Sequence, residues 1–186
     1  MGVRRRDRKA LSMGRTMDRN LRIVEEGLCG RTTIFEDPLR LGRRGTELLP
    51  TLLETHTPDA VVLMLGTNDC KTIFGASAEI IGKGIVRLLE QINQYADKMK
   101  VLVISPIYLG EKVWQDGYDQ EFSPESVEVS KKLEPVYEKV AGKYGKRFMR
   151  AADYASPSEA DQEHMDGQSH KILADAIYRK LEAEIL

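Results

Sequence analysis

Five consecutive apolar residues, Val61-Val62-Leu63-Met64-Leu65, run without polar interruption into Gly66-Thr67-Asn68-Asp69. A run that does not alternate predicts a strand covered on both faces, as in a parallel sheet between helices. Val101-Leu102-Val103-Ile104-Ser105 repeats the pattern and is closed by Pro106. Shorter runs predict a strand over 21–25, ending before Gly27, and a last one over 146–151. Helical spacing fills the gaps. Leu48, Leu49, Leu52 and Leu53 mark a helix over 47–54, stopped by Pro58, and Ile81, Ile85, Leu88, Leu89 and Ile92 mark one over 78–95. Gly82 and Gly84 lower the propensity of that second helix without refuting it. A third helix fits 124–144, where Pro135 is expected to kink or interrupt it, and a closing helix fits 168–185. Residues 108–124 read as a long irregular insertion.

Strands that alternate with helices, with no internal repeat or low-complexity linker, predict one open α/β domain over 1–186 with a mainly parallel sheet. The chain of 186 residues is long enough for a single sizeable core, and its 41% hydrophobic and 31% charged content is that of a globular protein. A formal charge of −1 argues against a nucleic-acid partner. The first 22 residues are locally basic, with Arg4, Arg5, Arg6, Arg8, Lys9, Arg15, Arg19 and Arg22 opposed only by Asp7 and Asp18. No aromatic residue is interleaved there, so a solvated or frayed terminus is expected. No stretch approaches the roughly 20 apolar residues of a membrane span. No apolar run follows the basic start as in a secretory signal. Two cysteines make no disulfide framework, and a reducing cytoplasm is the expected compartment.

In an open α/β sheet the crevice lies beyond the carboxyl ends of the strands, where residues 27–33, 66–71 and the segment after Pro106 all fall. Asn68 at such a strand tip can aim its amide at the oxygen of a tetrahedral intermediate, or it can close its own turn. Gly27 and Gly30 allow the backbone to turn tightly and approach a ligand. Asp161-Gln162-Glu163-His164 places a carboxylate three residues before an imidazole, the arrangement that holds a general base in one tautomer. Asp153 and Asp166 are competing carboxylates for that role. His170 is expected on a helix surface, and His56 is expected to serve the fold.

Taken together, Gly66-Thr67-Asn68-Asp69 and the late Asp161-x-x-His164 resemble two blocks of the SGNH (GDSL-type) ester hydrolases. The stretch Glu25-Glu26-Gly27-Leu28-Cys29-Gly30-Arg31-Thr32-Thr33 is similar to a third, particularly in the arylesterase/acyltransferase branch, as are Asp37-Pro38-Leu39, Leu49-Pro50 and Leu53-Glu54-Thr55-His56. The resemblance implies a three-layer, flavodoxin-like fold. It implies hydrolysis or acyl transfer at small carboxylic esters through an acyl-serine. Asn68 and Gly30 would then hold the oxyanion, with His164 as base and Asp161 orienting it. No metal or organic cofactor is implied, the partner is a small-molecule ester with no membrane involved, and a homo-oligomer is possible because the branch includes oligomers.

The Gly-Asp-Ser that carries the family's nucleophile occurs nowhere in the sequence. Residues 6–19 resemble the loop and helix that follow it, so the first strand is expected to be missing and the chain to be a truncated, nearly inactive member. Ser12 lacks Gly-Asp before it and is not expected to replace the nucleophile. Cys29 and Cys70 adjoin the two oxyanion candidates. One of them could supply a thiolate, although small buried or lining thiols are the expectation. The rival readings are a non-catalytic ligand-binding or assembly homologue and a flavodoxin-like nucleotide binder. The latter is weakened by the lack of a Gly-rich phosphate loop after any strand.

Overall fold

The computed structural model describes residues 22–185. Its three strands, β1 (Ala60–Leu63), β2 (Lys100–Ser105) and β3 (Arg147–Arg150), pair in parallel in the order β1-β2-β3. Four helices accompany them: α1 (Gly45–His56), α2 (Ala78–Tyr95), α3 (Pro124–Lys143) and α4 (Gly167–Glu184). Residue alternation along β2 separates two cores. Val101 and Val103 face α1, α2 and α3 through Leu53, Ile81, Ile85, Leu88, Leu133 and Tyr137. Leu102 and Ile104 face α4 through Leu173 and Ile177. This is the three-layer α/β arrangement expected from the sequence.

Helix α2 spans the residues its apolar spacing predicts. Ser77 accepts from the Ile80 N–H, and the apolar stripe from Ile81 to Ile92 is buried. Two expectations about the strands fail. The run 61–65 is not covered on both faces, since Val62 and Met64 are more than a third exposed. Among the described residues β1 pairs only with β2, so one of its edges and part of one face carry no described neighbour. Nor do residues 22–25 form a strand, because no described segment offers them a ladder; Leu21 lies outside the described residues.

Pro135 does not interrupt α3, which runs unbroken for 20 residues. The ring sits on the exposed side, where water can reach the carbonyl it leaves unpaired, while Leu133 and Tyr137 anchor the helix in the core. Residues 108–123 are irregular, as expected, yet Val113 and Phe122 are buried and pin the segment to the core.

Candidate active site

The chain leaves β1 through Gly66, whose φ of 129° belongs to the region that favours glycine. A β-carbon there would collide with the hydroxyl of Tyr137, which donates to the Leu65 carbonyl at 2.9 Å. The tight exit places residues 68–70 in one turn of 3₁₀ helix (Asn68–Cys70). Asp69 is fully buried and accepts from the Thr33 N–H at 2.9 Å and from the Thr33 hydroxyl. Burial nevertheless pushes its carboxyl up to about 6, against the opposing pull of those bonds.

That bond from Asp69 fixes the loop carrying Gly30. Gly30 is buried, with φ of 80°, and packs against the side chains of Arg40 and Arg43. Asn68 does not close its own turn with its side chain. Its Nδ2 donates to the Arg31 carbonyl at 3.3 Å, one residue beyond Gly30. The two oxyanion candidates therefore lie on adjoining, mutually tied loops, and the Asn68 amide keeps a second N–H beyond the one given to Arg31.

The base loop is built separately. The carboxylate of Asp161 accepts from the backbone N–H of His164 at 2.8 Å and of Glu163 at 3.0 Å, and from the Ser158 hydroxyl at 3.2 Å. Its other oxygen lies 3.1 Å from His164 Nδ1. Burial raises the Asp161 carboxyl, but these N–H donors and the His164 charge outweigh it and hold the group below its ordinary value. Gln162, with φ of 59°, receives the Gly110 N–H on its carbonyl at 2.7 Å and so anchors the loop to residues 108–123. The imidazole is about half exposed (52%), and among the described residues no hydroxyl or thiol bonds to its Nε2.

A third group of residues joins the loops, and the sequence reading missed it. Lys71 is only 3% exposed, yet its Nζ lies 2.8 Å from Glu121 and 3.3 Å from Asp37. Arg40 closes the network with contacts of 2.8 Å to Glu121 and 3.3 Å to Asp37. The Thr72 N–H donates to the Glu121 carbonyl at 2.8 Å. The carboxyl of the half-buried Glu163 is raised, chiefly by burial; His164 opposes this, Asp119 and Asp161 add to it, and Lys71 opposes it least. Asp37 and Lys71 stood in plain view in the sequence, but separations of 34 and 81 residues in the pairs Asp37–Lys71 and Arg40–Glu121 gave no local signal.

Other candidates fall elsewhere. Asp153 pairs with Arg150 at 2.9 Å, and Asp166 caps α4 through the Ser169 N–H at 2.7 Å, so neither reaches His164. His56 bonds Glu26 at 2.8 Å and ties α1 to the segment before Gly30, the structural part expected of it. His170 lies within α4 and is partly exposed. Cys70 is buried, donates to the Gly66 carbonyl at 3.3 Å, and has a thiol pushed far up by burial and the adjacent Asp69, so it is a packed thiol and not a thiolate. Cys29 is exposed, and Ser12 lies outside the described residues.

The description "GDSL-like Lipase/Acylhydrolase family" matches residues 2–171. Among solved structures, a carbohydrate acetylesterase from Sinorhizobium meliloti shares 33% identity at a TM-score of 0.80, with 87% of this chain and 78% of that one covered. A putative arylesterase from Agrobacterium tumefaciens shares 30% identity at a TM-score of 0.77, covering 95% and 85%. The aryl esterase of M. smegmatis shares 29% identity at a TM-score of 0.80, covering 87% and 78%. The comparison with curated proteins gives no match.

Proposed function

The chain belongs to the GDSL-like lipase/acylhydrolase family, and on that premise we propose that it carries the oxyanion and base halves of a site for esters of small acyl groups. The observation that carries this reading is the His164–Asp161 pair, with Nδ1 held by a carboxylate and Nε2 unbonded among the described residues. A base held in that tautomer takes a proton at Nε2 from an attacking hydroxyl and returns it to the departing alcohol. The Asn68 amide and the Gly30 N–H supply the donors that hold the tetrahedral oxyanion, each of a kind worth roughly 2.7–4 kcal/mol when preorganised. Related structures that are an arylesterase and a carbohydrate acetylesterase support small acyl esters as the substrate class, for hydrolysis or acyl transfer. The chemistry needs no metal or cofactor, and the reading includes a cytoplasmic single domain.

The sequence holds no Gly-Asp-Ser, and Cys70 is packed, so turnover by this chain should be near background. The test is hydrolysis of p-nitrophenyl acetate, butyrate and octanoate beside a His164→Ala control, with backbone amide shifts of Gly30 and Asn68 followed in the same titration. Saturable shifts without turnover above the control are expected. Turnover that vanishes in the control means a nucleophile is present, and Cys29 and Ser12 are then replaced in turn. No shift and no turnover overturns the ester reading.

A further inference from the structure

Arg31 follows Gly30 in the chain, and Arg40 and Arg43 lie where a β-carbon on Gly30 would point; the three are not equivalent. Arg40 is consumed by Glu121 and Asp37. The Thr32 N–H donates to the Arg43 carbonyl at 3.1 Å, which sets Arg31 and Arg43 on neighbouring stretches of chain. Both have an Nε that is buried and has no hydrogen-bond acceptor among the described residues. Their remaining bonds go to backbone carbonyls: Arg31 to Glu26, and Arg43 to Leu41 at 3.4 Å. The nearby carboxylates are engaged elsewhere. Glu26 holds His56 at 2.8 Å, Glu36 holds Arg44 at 3.3 Å and the Gly42 N–H at 2.8 Å, and Asp37 and Glu121 serve Lys71 and Arg40.

Two buried guanidinium N–H groups without acceptors are costly, and two adjacent cations repel. Burial above all lowers the proton affinity of Arg31; Glu26 raises it by less, and the charge of Arg43 adds a smaller lowering. An oxyanion group relieves both penalties at once, because a guanidinium fork matches the oxygen pair of a carboxylate or phosphate. The place matters as much as the charge. A β-carbon on Gly30 would meet the Arg43 side chain, and the carbonyl of Arg31 receives the Asn68 amide.

We propose that Arg31 and Arg43 form an anion subsite beside Gly30 that receives the carboxylate or phosphate of an acidic ester. Its place next to the reacting carbonyl rests on the ester reading given above, whereas anion binding itself does not.

The experiment follows the Arg31 and Arg43 Nε–H signals by NMR at constant ionic strength during titration with inorganic phosphate, methyl hydrogen succinate and methyl butyrate. The two esters are of similar size and differ by one carboxylate. Phosphate and methyl hydrogen succinate should shift both signals saturably and methyl butyrate should not, with the charged ester also shifting the Gly30 amide. In Arg43→Gln, checked for folding by its thermal transition, affinity for methyl hydrogen succinate should fall at least about tenfold, the loss expected for charge-assisted bonds. Arg43→Lys should restore only part of it. Nε–H signals that stay still in wild-type protein with every anion overturn the subsite, as does an Arg43→Gln affinity equal to wild type. Phosphate that shifts Nε–H while neither ester moves Gly30 or Asn68 keeps the anion site and sinks the ester reading instead. Phosphate binding with methyl butyrate, but not the charged ester, reaching Gly30 overturns its place as a substrate subsite.

Discussion

The two halves of the candidate site are held by opposite means. The Gly30–Asn68 half is clamped from beneath by buried polar groups: Asp69 on Thr33, and Lys71 between Asp37 and Glu121. The Asp161–His164 half is a surface loop that closes on itself through four contacts to one carboxylate, with its imidazole about half exposed (52%). The difference suits the tasks proposed for them. Fixed donors are effective only if they do not reorganise as charge develops. A base has to reach a proton and then return it, so its outer nitrogen must stay open.

The contrast can be broken most forcefully at Lys71. Lys71→Ala removes the buried cation and leaves the partly exposed Arg40 alone to pair Asp37 and Glu121, and should lower stability by about 3 kcal/mol in denaturant unfolding. A loss below about 1 kcal/mol would mean that the clamp does not hold the donor half.

The pH dependence tests the same contrast by sign. Asp69 has its carboxyl raised from 3.8 to about 6. The unfolded chain therefore loses this proton first, and stability should fall as pH rises between those values, by up to about 3 kcal/mol. Asp69→Asn should flatten that decline. Asp161 is held below its ordinary value, so its contribution is present above the carboxylate range and is lost as pH falls through it. Unfolding curves of Asp69→Asn and Asp161→Asn that change in the same direction across this range would contradict the assignment.

Smaller effects sharpen the picture. Tyr137→Phe removes the bond to the Leu65 carbonyl and should cost about 1 kcal/mol, read as a lower thermal midpoint. His164→Ala should leave stability within about 0.5 kcal/mol of wild type, since the side chain lies at the surface. A large destabilisation there would show that the base loop is also part of the scaffold.

What the sequence made legible follows the range of the forces involved. The span of α2 could be read to the residue because its apolar stripe is local. The Asp161–His164 pairing was legible because three residues suffice to close it. The clamp was not, because a lysine beside Cys70 reads as a solvated charge until the fold brings Asp37 and Glu121 to it. The strand over 61–65 misled for a related reason. Its apolar run reports that both faces are suited to burial, whereas covering them depends on neighbours, and Val62 and Met64 lack full cover among the described residues.

Gly84 sits in the middle of α2, on no loop and with no chemistry of its own. A β-carbon there would strike the side chain of Thr33, the residue whose N–H and hydroxyl hold Asp69. Random mutagenesis scored by ester binding should therefore rank Gly84 among the least replaceable positions in the protein. Anyone mapping such scores onto the surface would search in vain for a ligand near it. The intolerance would record a distance between a helix and a loop, passed through one threonine to the tip of a strand.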